Sequence, residues 1–326
     1  MNLPNLFYTP IKRDLLKLTG RDRQSFLQGM VSNDVGKLQP GDGCYAFMLD
    51  ATGHVLGDMR VLNVGEYLLL DLEPGTAAFV AATLEKYLIM EKCRIADVTA
   101  DYGAFAIGGA GAGDYLRREY DIAGVADWRD NQSGALSPHG DDCLLTRVRA
   151  APVPLFRLYF RNPRNMDVVY MPRDEATGEM YPELPEATLD ALRIEAGIPR
   201  FGVDMDKSVL APETGQAERS ISRKKGCYIG QEIVARIDAR GHTNKGLTGF
   251  YLDPAQGEPL APNAPVFVAG REVGRVTSAA VSPTLGVPIA LGYLRNEFAV
   301  SGAMVNVGAA DGAMAVVAVL PFMGCK

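Results

Sequence analysis

The chain has 326 residues, 47% hydrophobic and 22% charged, an ordinary globular balance with length for two or three domains and a core that needs no metal or disulfide staple. A formal net charge of −6 excludes non-specific attraction of the whole surface to nucleic acid or to an anionic membrane, so any anion site must be local. Five scattered cysteines (Cys44, Cys93, Cys143, Cys227, Cys325) without a C-x-x-C pair, a start without a cationic-then-apolar leader, and no apolar run of membrane-spanning length together predict a soluble protein of the reducing cytoplasm.

In chain order, Leu15–Gly20 reads as a strand. A helix follows with Asp22 as its N-cap and Phe26, Leu27, Met30 and Val31 on one face. Strands are expected at Cys44–Leu49 and Val55–Val64, joined by a turn at Asp50–Gly53, and another at Glu66–Leu72. Thr76–Leu88 reads as a helix and Lys92–Val98 as a strand. The first hundred residues therefore read as β-α-β-β-α-β.

A similar order starts again with a strand at Tyr102–Ile107 and a helix at Gly113–Tyr120. Strands follow at Cys143–Arg149, Leu155–Phe160 and Val168–Met171, then a helix at Glu186–Ala196 that stops at Gly197 before Pro199. Repeated element order, rather than repeated residues, suggests an internal duplication. After Lys245 only short β-like runs remain: Leu247–Leu252, Val266–Val268, Glu272–Ser278, Ile289–Leu294, Met304–Val307 and Met314–Val319. They predict a separate barrel or sandwich of about eighty residues. The implied domains are 1–242, with subunits of about 1–100 and 101–200 plus a motif segment 201–242, and 243–326.

The densest polar chemistry lies in Ala211–His242. Between Arg219 and Lys245 seven basic residues face only Glu232 and Asp238. Such a stretch either binds a polyanion or is a solvated charged linker. Within it, Lys225-Gly226-Cys227-Tyr228-Ile229-Gly230-Gln231-Glu232 sets one cysteine beside Arg223, Lys224 and Lys225. Neighbouring cations favour the thiolate, although a free cysteine is as often a small buried apolar residue. Gln231 and Glu232 either orient a ligand or cap the next element.

Four further features bear on function. Glu195 sits in the last turn of its helix, against the dipole, about 60° from Leu192 on the wheel. It needs a partner: a structural arginine such as Arg193 or Arg200, or a ligand with paired N–H donors such as a pterin ring. Asp58 lies on an alternating strand, where Asp is disfavoured, so it either lines a cavity or pairs with Arg60. Gly108–Gly113 offers no G-x-G-x-x-G register and reads as a flexible connection. His54, His139 and His242 are far apart and imply no metal.

These residues resemble the YgfZ-like folate-binding family, a relative of the glycine-cleavage T-protein (aminomethyltransferase). The resemblance rests on Lys225–Glu232, on Leu192–Pro199 with Phe201-Gly202-Val203-Asp204-Met205, and on Pro212-Glu213. It extends to Leu18–Asp22, to Phe26–Gly29 with Asn33-Asp34, and to Gly274–Ser278, covering nearly the whole chain in order. It implies an α+β fold: a duplicated, ferredoxin-like α+β folate-binding region followed by a small C-terminal β-barrel. It implies tetrahydrofolate, or a reduced one-carbon folate derivative, as cofactor. It also implies a role in assembly or repair of iron-sulfur proteins, which would be the client partners, with an indirect effect on tRNA modification.

Carried over residue by residue, the resemblance gives Glu195 to the pterin, Asp58 to the one-carbon position and Cys227 to the reactive thiol. The cofactor-binding set is then Glu195, Arg223, Lys225, Tyr228, Gln231, Glu232 and Arg236. True aminomethyltransferases lack the Lys-Gly-Cys-Tyr element. The leading expectation is therefore a folate-dependent assembly factor. The alternative is a folate-dependent aminomethyltransferase or demethylase of the T-protein type, with Asp58 as acid–base group or electrostatic stabiliser. A third reading, RNA binding through the basic segment, requires a steep salt dependence and is not expected of so acidic a chain.

Overall fold

The computed structural model describes residues 3–136, 142–161, 172–174, 177–253 and 260–322. The strand expected at Val168–Met171, together with His139 and Cys325, lies outside the described residues.

The chain opens with β1 (Phe7–Pro10), which the sequence did not announce and which joins the second of two sheets. The first sheet contains β2 (Asp14–Thr19), β3 (Gly43–Leu49), β4 (Val55–Asn63), β5 (Leu68–Leu72) and β6 (Arg94–Asp97), all antiparallel, in the order β3-β4-β5-β2-β6. Helices α1 (Arg23–Met30) and α2 (Ala77–Glu85) cover one face. Period-2 residues of the strands (Leu16, Leu18, Met59, Val61, Leu70, Leu72) meet Phe26, Leu27, Val80 and Leu84 of the helices. Full burial of each such side chain contributes roughly 1.5–3 kcal/mol. Three strands separate the helices, matching the three expected runs, one more than the condensed order β-α-β-β-α-β counts. Asp22 occupies the N-cap position of α1 as expected, but its carboxylate accepts the backbone N–H of Lys92 at 2.7 Å instead of one from the helix.

The second sheet has the order β1-β7-β10-β9-β8, with β7 (Tyr102–Gly108), β8 (Ser133–Leu136), β9 (Cys143–Arg147) and β10 (Leu155–Arg161). Helix α3 (Ala112–Tyr120) packs on its outer face. The glycine-rich link before α3 is a packed turn and not a flexible connection. Gly109 has φ +112°, and a Cβ there would stand 2.4 Å from the Asn5 carbonyl oxygen.

The two sheets face each other. Leu15, Leu62 and Leu69 of the first meet Ala104, Leu144 and Tyr159 of the second. Helix α4 (Glu186–Glu195) closes part of the same gap, with Leu192 against Phe7, Ala106 and Leu155. The next segment forms the short α5 (Ala217–Ser220) and then α6 (Gln231–Arg240), the element that follows Gly230. Gly230, at φ +83°, allows α6 to begin tight against the β3–β4 turn, where a Cβ would come 2.5 Å from the Asp50 carbonyl oxygen.

The last third is a closed six-stranded barrel of β11 (Lys245–Leu252), β12 (Pro265–Val268), β13 (Arg271–Val281), β14 (Pro288–Arg295), β15 (Met304–Val307) and β16 (Ala313–Ala318). The order is β11-β14-β13-β12-β15-β16, with β16 returning to β11. Closure removes the sheet edges. The barrel docks on α4 through Ile194, Ile289 and Leu291, and on the first sheet through Leu247 and Tyr293 against the Tyr45–Phe47 cluster. The fold is α+β with a C-terminal β-barrel. Among the described residues no helix is long and apolar enough to cross a membrane.

Candidate functional site

A cavity of about 520 Å³ lies between the sheet faces, α4 and the Ile198–Val203 loop. That volume suits a small organic ligand. The sequence places charge there by strand alternation. In the β3–β4 hairpin Tyr45 stands opposite Arg60 and Phe47 opposite Asp58, and in the β4–β5 pair Arg60 stands opposite Asp71. Tyr45, Asp58, Arg60 and Asp71 thus share the face turned to the second sheet, while Met59 and Val61 fill the core under α1 and α2.

Asp58 is buried and accepts the Tyr45 hydroxyl proton at 2.7 Å. Burial, reinforced by the nearby Glu73, pushes its carboxyl up to about 6, against the opposing pull of Tyr45, Arg13 and Arg60. It makes no hydrogen-bonded pair with Arg60, whose nearest carboxylate oxygen belongs to Asp71 at 3.8 Å. Behind the wall Asp71 is fully buried and tethers the two sheets. It accepts from Arg13 at 2.5 Å, from Arg157 of β10, and from the Tyr159 hydroxyl at 2.7 Å. Burial alone would raise its pKa, yet Arg13, Arg157 and Arg60 outweigh it and hold the carboxyl well below the usual range. Arg13 also takes Glu73 at 2.5 Å.

Helix α4 turns Glu186, Leu189, Asp190 and Arg193 to the cavity. Glu195 is about 200° around the wheel from Arg193 and faces away. It is fully buried, and Ser282 Oγ (2.6 Å) and Thr284 Oγ1 donate to its carboxylate. Neither of the arginines suggested by the sequence is its partner, and it does not border the cavity. Arg193 instead binds Asp190 at 2.9 Å and the buried Asp204. Asp204 also receives Thr277 (2.5 Å), Ser278 (2.7 Å) and the Arg200 backbone N–H (2.9 Å), which fixes the Ile198–Val203 loop against the barrel.

The loop before α6 does not line this cavity either. Cys227 is exposed. Arg223 is engaged by Asp238 at 2.8 Å and Glu218 at 3.2 Å, and Arg236 by Glu232 at 2.9 Å. The Lys225 ammonium donates to the carbonyls of Gln28 (2.5 Å), Val31 (2.6 Å) and Asn33 (2.9 Å), where α1 ends. Tyr228 is buried in the cluster of Tyr45, Phe47 and Val234. Gln231 and Glu232 occupy the first turn of α6. Of the expected catalytic and cofactor-binding residues, Asp58 alone lines the cavity. Arg60, Arg193, Arg200 and Arg219 also line it, though the sequence offered them only as ion-pair partners or as part of the basic segment, and Tyr45, Glu73 and Arg157 were missed. The signal for Tyr45 was its alternation with Phe47 opposite two charged strand positions.

Residues 14–131 match the model of the GCVT N-terminal domain, and residues 245–323 that of the glycine cleavage T-protein C-terminal barrel domain. A probable aminomethyltransferase of Halobacterium salinarum is 27% identical over 307 residues, spanning 90% of this chain and 80% of that one. The aminomethyltransferase of Saccharopolyspora erythraea is 28% identical over 319 residues, spanning 94% and 83%. The crystal structure of glycine cleavage system aminomethyltransferase T from Bartonella henselae superposes with a TM-score of 0.83 at 20% identity, covering 99% of this chain and 87% of that one. The chain thus carries the N-terminal and barrel domains of the glycine cleavage T-protein, on the fold of an aminomethyltransferase.

Proposed function

We propose that this chain is a folate-dependent one-carbon transferase of the T-protein type, with tetrahydrofolate bound in the cavity beside Asp58. One observation carries the reading: a buried acid, held by Tyr45, stands in the wall of a cavity of about 520 Å³ within an aminomethyltransferase fold. The site suits the cofactor. Leu155, Leu189, Pro199 and Phe201 offer apolar walls to a ring, and Asp58 offers an acceptor for ring or amine N–H groups. Bound tetrahydrofolate supplies the nitrogen that takes up the one-carbon unit. Asp58 stabilises positive charge that develops near it, or accepts a proton there; Tyr45 orients it, and the two sheets exclude water. Residues 1–242 form the folate-binding unit in this reading, and 243–326 the barrel unit. Glu195 serves as a positioning residue that holds α4 against the barrel, and Arg223, Lys225, Tyr228, Gln231, Glu232 and Arg236 as positioning residues that hold α1 and α6 beside the first sheet.

The test is one-carbon transfer to tetrahydrofolate from an aminomethyl or N-methyl donor. Asp58→Asn is expected to lower turnover by about 10²–10⁴-fold. Equal turnover in wild type and variant removes the proposal.

A second reading is favoured by the exposed thiol of Cys227 inside the Lys225–Glu232 motif. Here the protein acts in assembly or repair of iron-sulfur clients, with tRNA modification affected through them. Cys227→Ser would then fail to rescue a null strain while still binding tetrahydrofolate. Full rescue by that variant rejects this reading.

A further inference from the structure

The charge around the Asp58 cavity does not balance. Seven cationic side chains and four carboxylates line it, in a protein of net charge −6. Two of those carboxylates already have cations. Glu73 binds Arg13, and Asp190 binds both Arg193 and Arg200 (3.0 Å). Asp71, just behind the wall, is shared by Arg13, Arg157 and Arg60. Burial, then repulsion from Arg13 and Arg60, holds Arg157 below its ordinary value, as expected where positive charge is in excess.

Two arginines are left under-satisfied. The Arg60 side chain is 5% exposed, stands 3.8 Å from its nearest carboxylate oxygen, and has an Nε–H without an acceptor among the described residues. Arg219 is held through Nη1 by the Arg149 carbonyl at 3.0 Å, with Asp130 no nearer than 3.9 Å. Its Nε and Nη2 are buried and have no acceptor among the described residues. Those two nitrogens form the edge of a guanidinium that grips a carboxylate with two parallel bonds. Both cations lie against one ring: Arg219 is 4.1 Å and Arg60 5.7 Å from the centroid of Tyr45, whose hydroxyl holds Asp58. Leaving desolvated guanidinium N–H groups without acceptors is costly, and a bound anion removes that cost.

We propose that Arg60 and Arg219, both beside Tyr45, form a carboxylate-binding subsite of the Asp58 cavity. This deepens the folate reading, on which it rests for the identity of the cavity, by assigning the part of the ligand that meets these residues. The carboxylate has two possible sources: the glutamyl end of a folate, or the carboxyl group of the amino acid that donates the one-carbon unit. In the second case the donor's amine lies beside Asp58 and its carboxylate at the arginines.

Three probes separate the cases: tetrahydrofolate, 6-methyltetrahydropterin (which has no carboxylate) and N-methylglycine. Dissociation constants are measured for wild type, Arg60→Met, Arg219→Met and Arg219→Lys, with melting curves as the folding control. Arg219→Lys keeps the charge but lacks the two-nitrogen edge, so it keeps the test valid if a Met variant misfolds. Loss of one charged, paired contact is expected to weaken a carboxylate probe by about 10- to 100-fold and to leave 6-methyltetrahydropterin unchanged. Selective weakening of tetrahydrofolate assigns the glutamyl carboxylate; selective weakening of N-methylglycine assigns the donor. Unchanged affinity for both carboxylates in folded variants, or binding of neither by wild type at 10 mM as a rough ceiling, overturns the subsite. Binding of 6-methyltetrahydropterin with no arginine effect on either carboxylate keeps the folate reading and sinks this one. Arg219-dependent binding of N-methylglycine without any pterin binding does the reverse.

Discussion

Tyr45 donates its hydroxyl proton to Asp58 at 2.7 Å across the β3–β4 hairpin, and both groups are buried. The bond favours the charged form of Asp58, so removing it must raise the carboxyl further above its value of about 6. Tyr45→Phe is expected to move the acid limb of the pH–activity profile to higher pH. Stability should fall by only about 0.5–1.5 kcal/mol. An acid limb that stays in place would show that Asp58 does not titrate in the measured step.

Asp58 should cost stability at neutral pH. Its folded pKa, about 6, lies above that of the unfolded chain, near 3.8. Below pH 4 the carboxyl is protonated in both states and there is no penalty. Between pH 4 and 6 the unfolded chain releases the proton first, so stability falls as pH rises, and above 6 the penalty is complete. Asp58→Asn is therefore expected to unfold at higher urea concentration than wild type at pH 7.5, by about 1–3 kcal/mol, with the gap closing near pH 4. Urea titrations at the two pH values check the sign, and a variant weaker than wild type at pH 7.5 would contradict it.

Asp71 has the opposite sign. Its carboxyl is held well below the usual range, so its contribution is present above about pH 4 and is lost as pH falls through the depressed value. Asp71→Asn leaves Arg13, Arg157 and Arg60 with one anion fewer in a buried place. A loss of about 3–5 kcal/mol is expected. The substitution should also loosen the two sheets, visible as faster hydrogen exchange in β5 and β10. A variant as stable as wild type at pH 7 would show that Asp71 is not the tether.

The fold was largely legible because its periodicities are local. The Asp50–Gly53 turn between two alternating runs gave the β3–β4 hairpin, and six short runs after Lys245 gave the strands of the barrel. β1 was hidden because its partner, β7, lies about a hundred residues away. α6 was hidden because Ile233 and Val234 favour strands locally, whereas the turn at Gly230 and packing of Val234 decide for a helix. The site was less legible for the same reason of distance. Asp58 stood out as an acid in a strand. Its neighbour Arg219 comes from far along the chain, and the partners of Glu195, Ser282 and Thr284, are 87 and 89 residues away. The charge of the basic segment was visible, but not that Glu218 and Asp238 hold Arg223 or that backbone carbonyls hold Lys225.

Lys225 links the thiol loop to the first sheet's helix layer. Its ammonium closes three carbonyls at the end of α1, where the helix dipole favours a cation. Burial draws it down to about 8, against the opposing pull of Asp34. Lys225→Met leaves the carbonyls without their donor and should cost about 1–3 kcal/mol. It should also release the segment that carries Cys227. In wild type, Cys227 is exposed and Cys143 is buried, while burial pushes the Cys44 thiol up to about 12. Brief alkylation followed by peptide mapping is therefore expected to label Cys227 ahead of Cys44 and Cys143. In Lys225→Met, Cys44 loses the neighbouring cation that favours its thiolate, so it should stay behind Cys227. Protection of Cys227 in the native protein would contradict the placement of this loop. Labelling of Cys44 ahead of Cys227 in the variant would contradict the placement of Lys225 beside it.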